Sequence, residues 1–122
     1  PLGAPPDVFG RHRLRDLSAP RPRDEMDRLL LSLYHLMWAE NLMAGGQTEE
    51  AVGKYRAAAD YGAFSKLVLT NIGAASASHG LFKEAEAFLQ AALAIDPNFG
   101  PARLNLELVR QQLHARPAQP KP

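Results

Sequence analysis

The side chains that could do chemistry are few, and their spacing does not suit it. His12, His35, His79 and His114 are far apart in the chain, whereas a helical zinc site needs two histidines at i and i+4. His35 and His79 read instead as packing or helix-end residues. There is no cysteine, which excludes disulfides and thiolate metal sites and leaves the redox compartment open. No glycine-rich phosphate loop follows a strand, and no nucleophile elbow is present. Glu84 and Glu86 read as part of a solvated helix face. Basic residues are not interleaved with aromatics, as a single-strand binder would need. Lys and Arg number 14 against 13 Asp and Glu, a net charge of +1, so no strong field points to nucleic acid or an anionic membrane. These residues predict a chain that is not an enzyme and takes no cofactor or metal.

The informative signal is periodic. Residues 80–98, GLFKEAEAFLQAALAIDPN, read as a turn, one amphipathic helix and a proline-marked stop. Gly80 can adopt a positive φ and suits a tight turn between two antiparallel helices. Ala85, Leu89, Ala92 and Leu93 share one face at i, i+4, i+7 and i+8. The alanines let a neighbouring helix approach closely. Asp96-Pro97 ends the helix, because the residue before a proline avoids the α region. The same pattern recurs 34 residues earlier in residues 46–63, a period that signals a repeat architecture.

These residues resemble a tetratricopeptide repeat. Counted from Lys66, Leu69 falls at the family's large fourth position, Ile72 at the seventh and Gly73 at the small eighth. Ala85, Leu89, Ala92 and Pro97 take the twentieth, twenty-fourth, twenty-seventh and thirty-second. Counted from Ser32, an earlier copy places Trp38, Ala39, Leu42, Ala51, Tyr55 and Ala58 at matching positions and departs from the pattern at His35 and Ala63. The resemblance implies an all-α fold of antiparallel helix-turn-helix repeats in a short right-handed superhelical stack: two repeats at about 32–65 and 66–99, an extended first helix, and a capping helix at 101–114.

In chain order, residues 1–22 are a Pro/Arg-rich leader, expected to be extended or disordered. Its Val8, Phe9, Leu14 and Leu17 could fold back onto the domain. The opening Pro1-Leu2-Gly3 could be a remnant of cloning, or the chain an excised fragment; either would remove a targeting signal from view. A domain follows over 23–114. Helices are predicted over 22–44, 48–60 (Thr48 as N-cap), 65–78, 81–95 and 101–114. In the first, Met26, Leu29, Leu30, Leu33, Leu36, Met37, Leu42 and Met43 cover more than half the circumference, so burial on more than one face is expected. In the last, Ala102, Leu106, Val109 and Leu113 face inward. Glu107 and Arg110 stand where a further repeat would pack, which marks a solvating cap. Residues 115–122 read as a disordered tail. Hydrophobic residues make up 46% of the chain, enough for a core, and no run approaches the roughly 20 apolar residues of a membrane span.

In the tetratricopeptide family the first helices of successive repeats line a groove for an extended peptide or a helix. The resemblance places Leu33, Leu36, Met37, Glu40, Met43 and Ala44 in it from the first repeat. Leu67, Thr70, Asn71, Ala74, Ala77 and Ser78 come from the second. Pro101, Leu104, Asn105, Leu108, Gln111 and Gln112 come from the cap. Asn71 and Asn105 share one repeat position, and a side-chain amide can pair with a peptide backbone without reading its sequence. Leu36 and Pro101 stand where the family's carboxylate clamp has lysines, which argues against binding of chaperone C-terminal tails. The implied partner is a protein carrying an apolar peptide or amphipathic helix. Two alternatives stand beside it: a homodimer through Leu29, Leu30, Leu31 and Leu33 of the first helix, and a regulatory domain of a larger enzyme or membrane protein. No nucleic acid and no direct membrane insertion are expected; the compartment stays open, cytoplasmic, periplasmic or membrane-tethered.

Overall fold

A computed structural model describes residues 24–115; the leader and the tail beyond Ala115 lie outside the described residues. Those described form five α-helices and no strand: α1 (Glu25–Ala44), α2 (Thr48–Tyr61), α3 (Lys66–Ser78), α4 (Phe82–Ile95) and α5 (Gly100–Ala115). The all-α expectation holds. Some boundaries differ. Asp24 is extended (φ −148°, ψ 178°) and its carboxylate accepts from the Asp27 N–H at 3.0 Å, so α1 starts after it and does not reach back to residue 22. A short acceptor at the N-cap satisfies one of the orphan amides of the first turn. Thr48 is inside α2 and not its cap; Gln47 precedes the helix without a side-chain bond. Ser65 caps α3 through the Val68 N–H. Helix α5 starts at Gly100, one residue before Pro101, and takes in Ala115 from the expected tail.

The periodicity of the sequence reappears in backbone hydrogen bonds. Gln47 N–H donates to Leu42 and Leu81 N–H to Ser76, each 34 residues on. Gly62→Ala58 becomes Asp96→Ala92, Ser65→Gly62 becomes Phe99→Asp96, and Leu69→Ser65 becomes Arg103→Phe99, all at the same offset. Gly46 (φ 79°) and Gly80 (φ 81°) occupy equivalent turns and alone among the described residues hold positive φ. The bounds of α2 shifted by 34 are those of α4. Among the helix starts, only that of α1 breaks the pattern, while α5 ends three residues later than the offset predicts. The counterpart of α1, α3, starts at Lys66, so a periodic α1 would start at Ser32; it starts seven residues earlier, at Glu25.

Helix α1 packs mainly on α2, α3 on α4, and α4 on α5, with lighter contact between α2 and α3 and between α3 and α5. The crossings are lined by small residues. Ala39, Ala51, Ala58, Ala85, Ala92 and Ala102 are all fully buried. Between them sit Tyr55, Leu69, Ile72, Phe88, Leu89, Leu106 and Val109. The expected inward face of α5 is confirmed for Ala102, Leu106 and Val109, with Leu113 packed at the edge. At Gly73 a Cβ would lie 2.7 Å from Leu89 Cγ, so α3 meets α4 at a distance only glycine permits. At Gly62 a Cβ would lie 2.5 Å from Val68 Cγ1 and 2.8 Å from Ser32 Oγ. Here φ is −94°, so the requirement is steric and not conformational.

Two glycine substitutions separate these effects. Gly73→Ala forces Leu89 off its rotamer and should cost about 1–3 kcal/mol. Gly53→Ala, in mid-helix with open space around its Cβ, should stabilise by about 0.5–1 kcal/mol. Urea midpoints of the two variants should move in opposite directions from that of the parent chain.

Candidate functional site

The structure divides the predicted groove residues by exposure. Leu33, Met37, Leu67, Asn71, Ala74, Leu104 and Leu108 are exposed. Met37 and Leu67 keep 66% and 61% of their surface open to solvent, and Leu104 58%. Leu36 and Met43 are half-buried against the core, and Asn105 is half-buried. Thr70 does not reach the surface: it is 6% exposed and its buried Oγ1 has no hydrogen-bond partner. Its position at i+1 from Leu69 turns it inward, a detail that repeat register does not resolve. Of the remaining expected groove positions, Ala44, Ser78, Pro101, Gln111 and Gln112 are exposed and Ala77 is half-buried.

Glu40 is not free to meet a ligand. Tyr55 Oη donates to its Oε2 at 3.1 Å and His79 Nε2–H to its Oε1 at 2.8 Å. One carboxylate therefore ties α1 to α2 and to the C-cap of α3. Burial, then the Glu40 charge, then the hydrogen bond to it push the Tyr55 hydroxyl well above the usual tyrosine range. Two more polar links join elements distant in sequence. Ser32 Oγ–H donates to the Ala58 carbonyl at 2.7 Å inside the α1–α2 crossing. Lys66 pairs with Asp96, and its hydrogen bond, then the Asn98 backbone N–H, hold the Asp96 carboxyl below the usual range.

His35 and His79 sit as expected, one in packing and one at a helix end. His35 Nδ1–H donates to the Leu31 carbonyl at 2.8 Å, and its ring lies 5.2 Å from Tyr61 and 5.8 Å from Trp38. Lys54 Nζ stands 3.7 Å from the Trp38 ring centroid, a cation–π contact that bridges α2 and α1. Glu84 and Glu86, expected on a solvated face, are half-buried. They pair with Arg56 and Arg110 of neighbouring helices. Among the described residues, no group of three or more His, Asp or Glu comes together as a metal site. No described helix is long and apolar enough to cross a membrane.

The large exposed apolar side chains are distributed unevenly. Of the eight among the described residues, Met26, Leu30, Leu33 and Met37 are on α1, Leu67 on α3, Leu104 and Leu108 on α5, and Ile95 alone on α4. Helix α2 has none. The expectation that α1 is buried on more than one face fails within one chain, because an apolar stripe of α1 is left in solvent. Two clefts flank α5: one of about 640 Å³ lined by Leu93, Leu104, Arg110 and His114 among others, and one of about 580 Å³ at Lys83, Glu86 and Leu113. Comparison with protein-family models, curated proteins and solved structures finds no match.

The Glu40 link makes two predictions. Glu40→Ala leaves the buried Tyr55 hydroxyl unpaired and should cost about 1–3 kcal/mol, read as a lower urea midpoint. The second concerns pH. Tyr55 holds its proton more tightly when folded than when unfolded, so its contribution is complete below about pH 10 and is lost as pH rises through the higher folded value. Tyr55→Phe should flatten the alkaline limb of a stability–pH curve; an unchanged limb would assign it to other groups.

Proposed function

We propose that this chain is a tetratricopeptide-type interaction module that holds an apolar peptide or amphipathic helix of a partner protein across α1, α3 and α5. One observation carries the reading: among the described residues, seven of the eight large exposed apolar side chains lie on the first, third and fifth helices, and from Ser32 onward five of six do; these are the first helices of the repeat units. Burial alone would not select alternate helices. The 34-residue offset in the turn hydrogen bonds supports a repeat of that length. The full burial of Ala39, Ala51, Ala58, Ala85 and Ala92 fits the small positions of the motif.

The surface suits a ligand that offers apolar side chains and unpaired backbone groups. Leu67, Leu104 and Leu108 supply apolar contact. Asn71, exposed on α3, supplies a donor and an acceptor for a peptide backbone. The exposed positions of α3, Leu67, Asn71, Ala74 and Ser78, carry no charge, so an apolar segment would dock without stranding an ion. Helix-in-groove recognition reads anchors at i, i+3, i+4 and i+7 of the ligand.

The test replaces both α5 leucines. Leu104→Glu together with Leu108→Glu alters only exposed positions, so helix content by circular dichroism should be retained. Each leucine buried on binding contributes about 1.5–3 kcal/mol, and the double variant should lose at least about 100-fold in affinity for a partner captured by the parent chain. Equal capture by parent and variant would move the site away from this surface.

A further inference from the structure

We propose that the exposed stripe of α1 is a seam for a second copy of this chain, paired antiparallel about a two-fold axis. The inference goes beyond the groove reading and does not depend on it. From Met26 to Ala44 the exposed positions of α1 are Met26, Leu30, Leu33, Met37, Asn41 and Ala44, and none can ionise. A solvent face of a surface helix usually carries charge. Helix α2 follows that rule, exposing Glu49, Glu50, Arg56 and Asp60, and so does α5, with Arg103, Glu107 and Arg110; α3 shares the uncharged face of α1 but exposes one large apolar side chain against four.

The first four residues of the stripe are spaced four, three and four apart, as Met-Leu-Leu-Met. That order reads the same in both directions. An antiparallel two-fold centred between Leu30 and Leu33 sets Met26 against Met37 of the second copy and Leu30 against Leu33. Isologous contacts demand this kind of self-complementarity, and alternating steps of three and four are the seam of a helix pair. The repeat does not account for the stripe. Met26 and Leu30 lie in the seven residues by which α1 exceeds its periodic length, so two of the four apolar residues of the palindrome exist only because of the extension.

Charge selects the orientation. A parallel pairing would bring Asp24 and Glu25 of both copies together at one end, both exposed; the antiparallel one keeps them about 20 Å or more apart and opposes the helix dipoles. Size sets the strength. Helix α1 is about 30 Å long, and one helix pair falls short of the roughly 800 Å² per partner of a stable interface. A reversible dimer with Kd of roughly 1–100 µM is expected.

The experiment is sedimentation velocity on the full chain across that concentration range, with cross-linking to fix the geometry. The parent should pass from monomer to dimer. Leu30→Glu should raise Kd at least about 100-fold with circular dichroism unchanged, and Leu108→Glu should leave Kd where it was. Because the chain has no cysteine, single substitutions report pairing directly. A mixture of Met26→Cys and Met37→Cys chains should form the mixed disulfide in excess over either symmetric one. A chain that stays monomeric throughout, a dimer that survives Leu30→Glu, or symmetric cross-links in excess would each overturn the proposal.

Discussion

The structure depends on how closely its helices approach one another. Six alanines at the crossings are fully buried, and Gly73 meets Leu89 where no Cβ fits. Small side chains contribute little buried area each, but they let backbones come together and fill space without voids. The consequence falls on the large residues. Tyr55, Leu69, Ile72 and Leu89 are fully buried between the crossings, with Leu42, Phe88, Leu106 and Val109 nearly so. Among the described residues, the large apolar side chains left exposed lie, Ile95 apart, on α1, α3 and α5. The exposed apolar surface is thus the complement of a core built from alanine and glycine.

The polar groups that link one helix to another serve the same close packing. Helices α1 and α3 make little contact with each other, and Glu40 spans the gap by accepting from Tyr55 and from His79. Ser32 spends its hydroxyl on the Ala58 carbonyl, and Lys66 and Asp96 join the start of α3 to the end of α4. Each of these groups is engaged by a neighbour from another element. A carboxylate shared by a phenol and an imidazole would be a candidate for acid–base work in an open cleft. Here Tyr55 is fully buried, and a substrate would have to break the junction to reach it.

Much of this was legible before any coordinates. The periodic pattern located the turns at Gly46 and Gly80 and four of five helices to within a residue or two, and the resemblance marked Gly73 as a small position. Repeats are legible because each position meets the same surroundings in every copy, so patterns reinforce. What the sequence left out is specific to single positions. The start of α1 depends on Asp24 as an acceptor, and nothing separated it from a helix beginning at Pro22, where proline is also favourable. Thr48 resembled a cap, but the chain turns one residue earlier, at Gln47. Thr70 and Glu40 were placed in the groove by register alone. A shift of one position on a helix is about 100°, enough to turn Thr70 inward, and Glu40 is held by partners from α2 and from the end of α3.

Helix α1 carries two demands at once. In the proposed groove it would contribute Leu33 and Met37 beside α3 and α5; as an extended helix it adds Met26 and Leu30 and completes a symmetric stripe. The two surfaces overlap at Leu33 and Met37, so a second copy on α1 and a ligand reaching α1 would compete for the same side chains. A ligand confined to Leu67, Asn71, Leu104 and Leu108 would not. On the two proposals the extension bears on recognition as well as on assembly: pairing through α1 would narrow the proposed groove to α3 and α5, where Leu67, Leu104 and Leu108 supply apolar contact and Asn71 is the exposed asparagine.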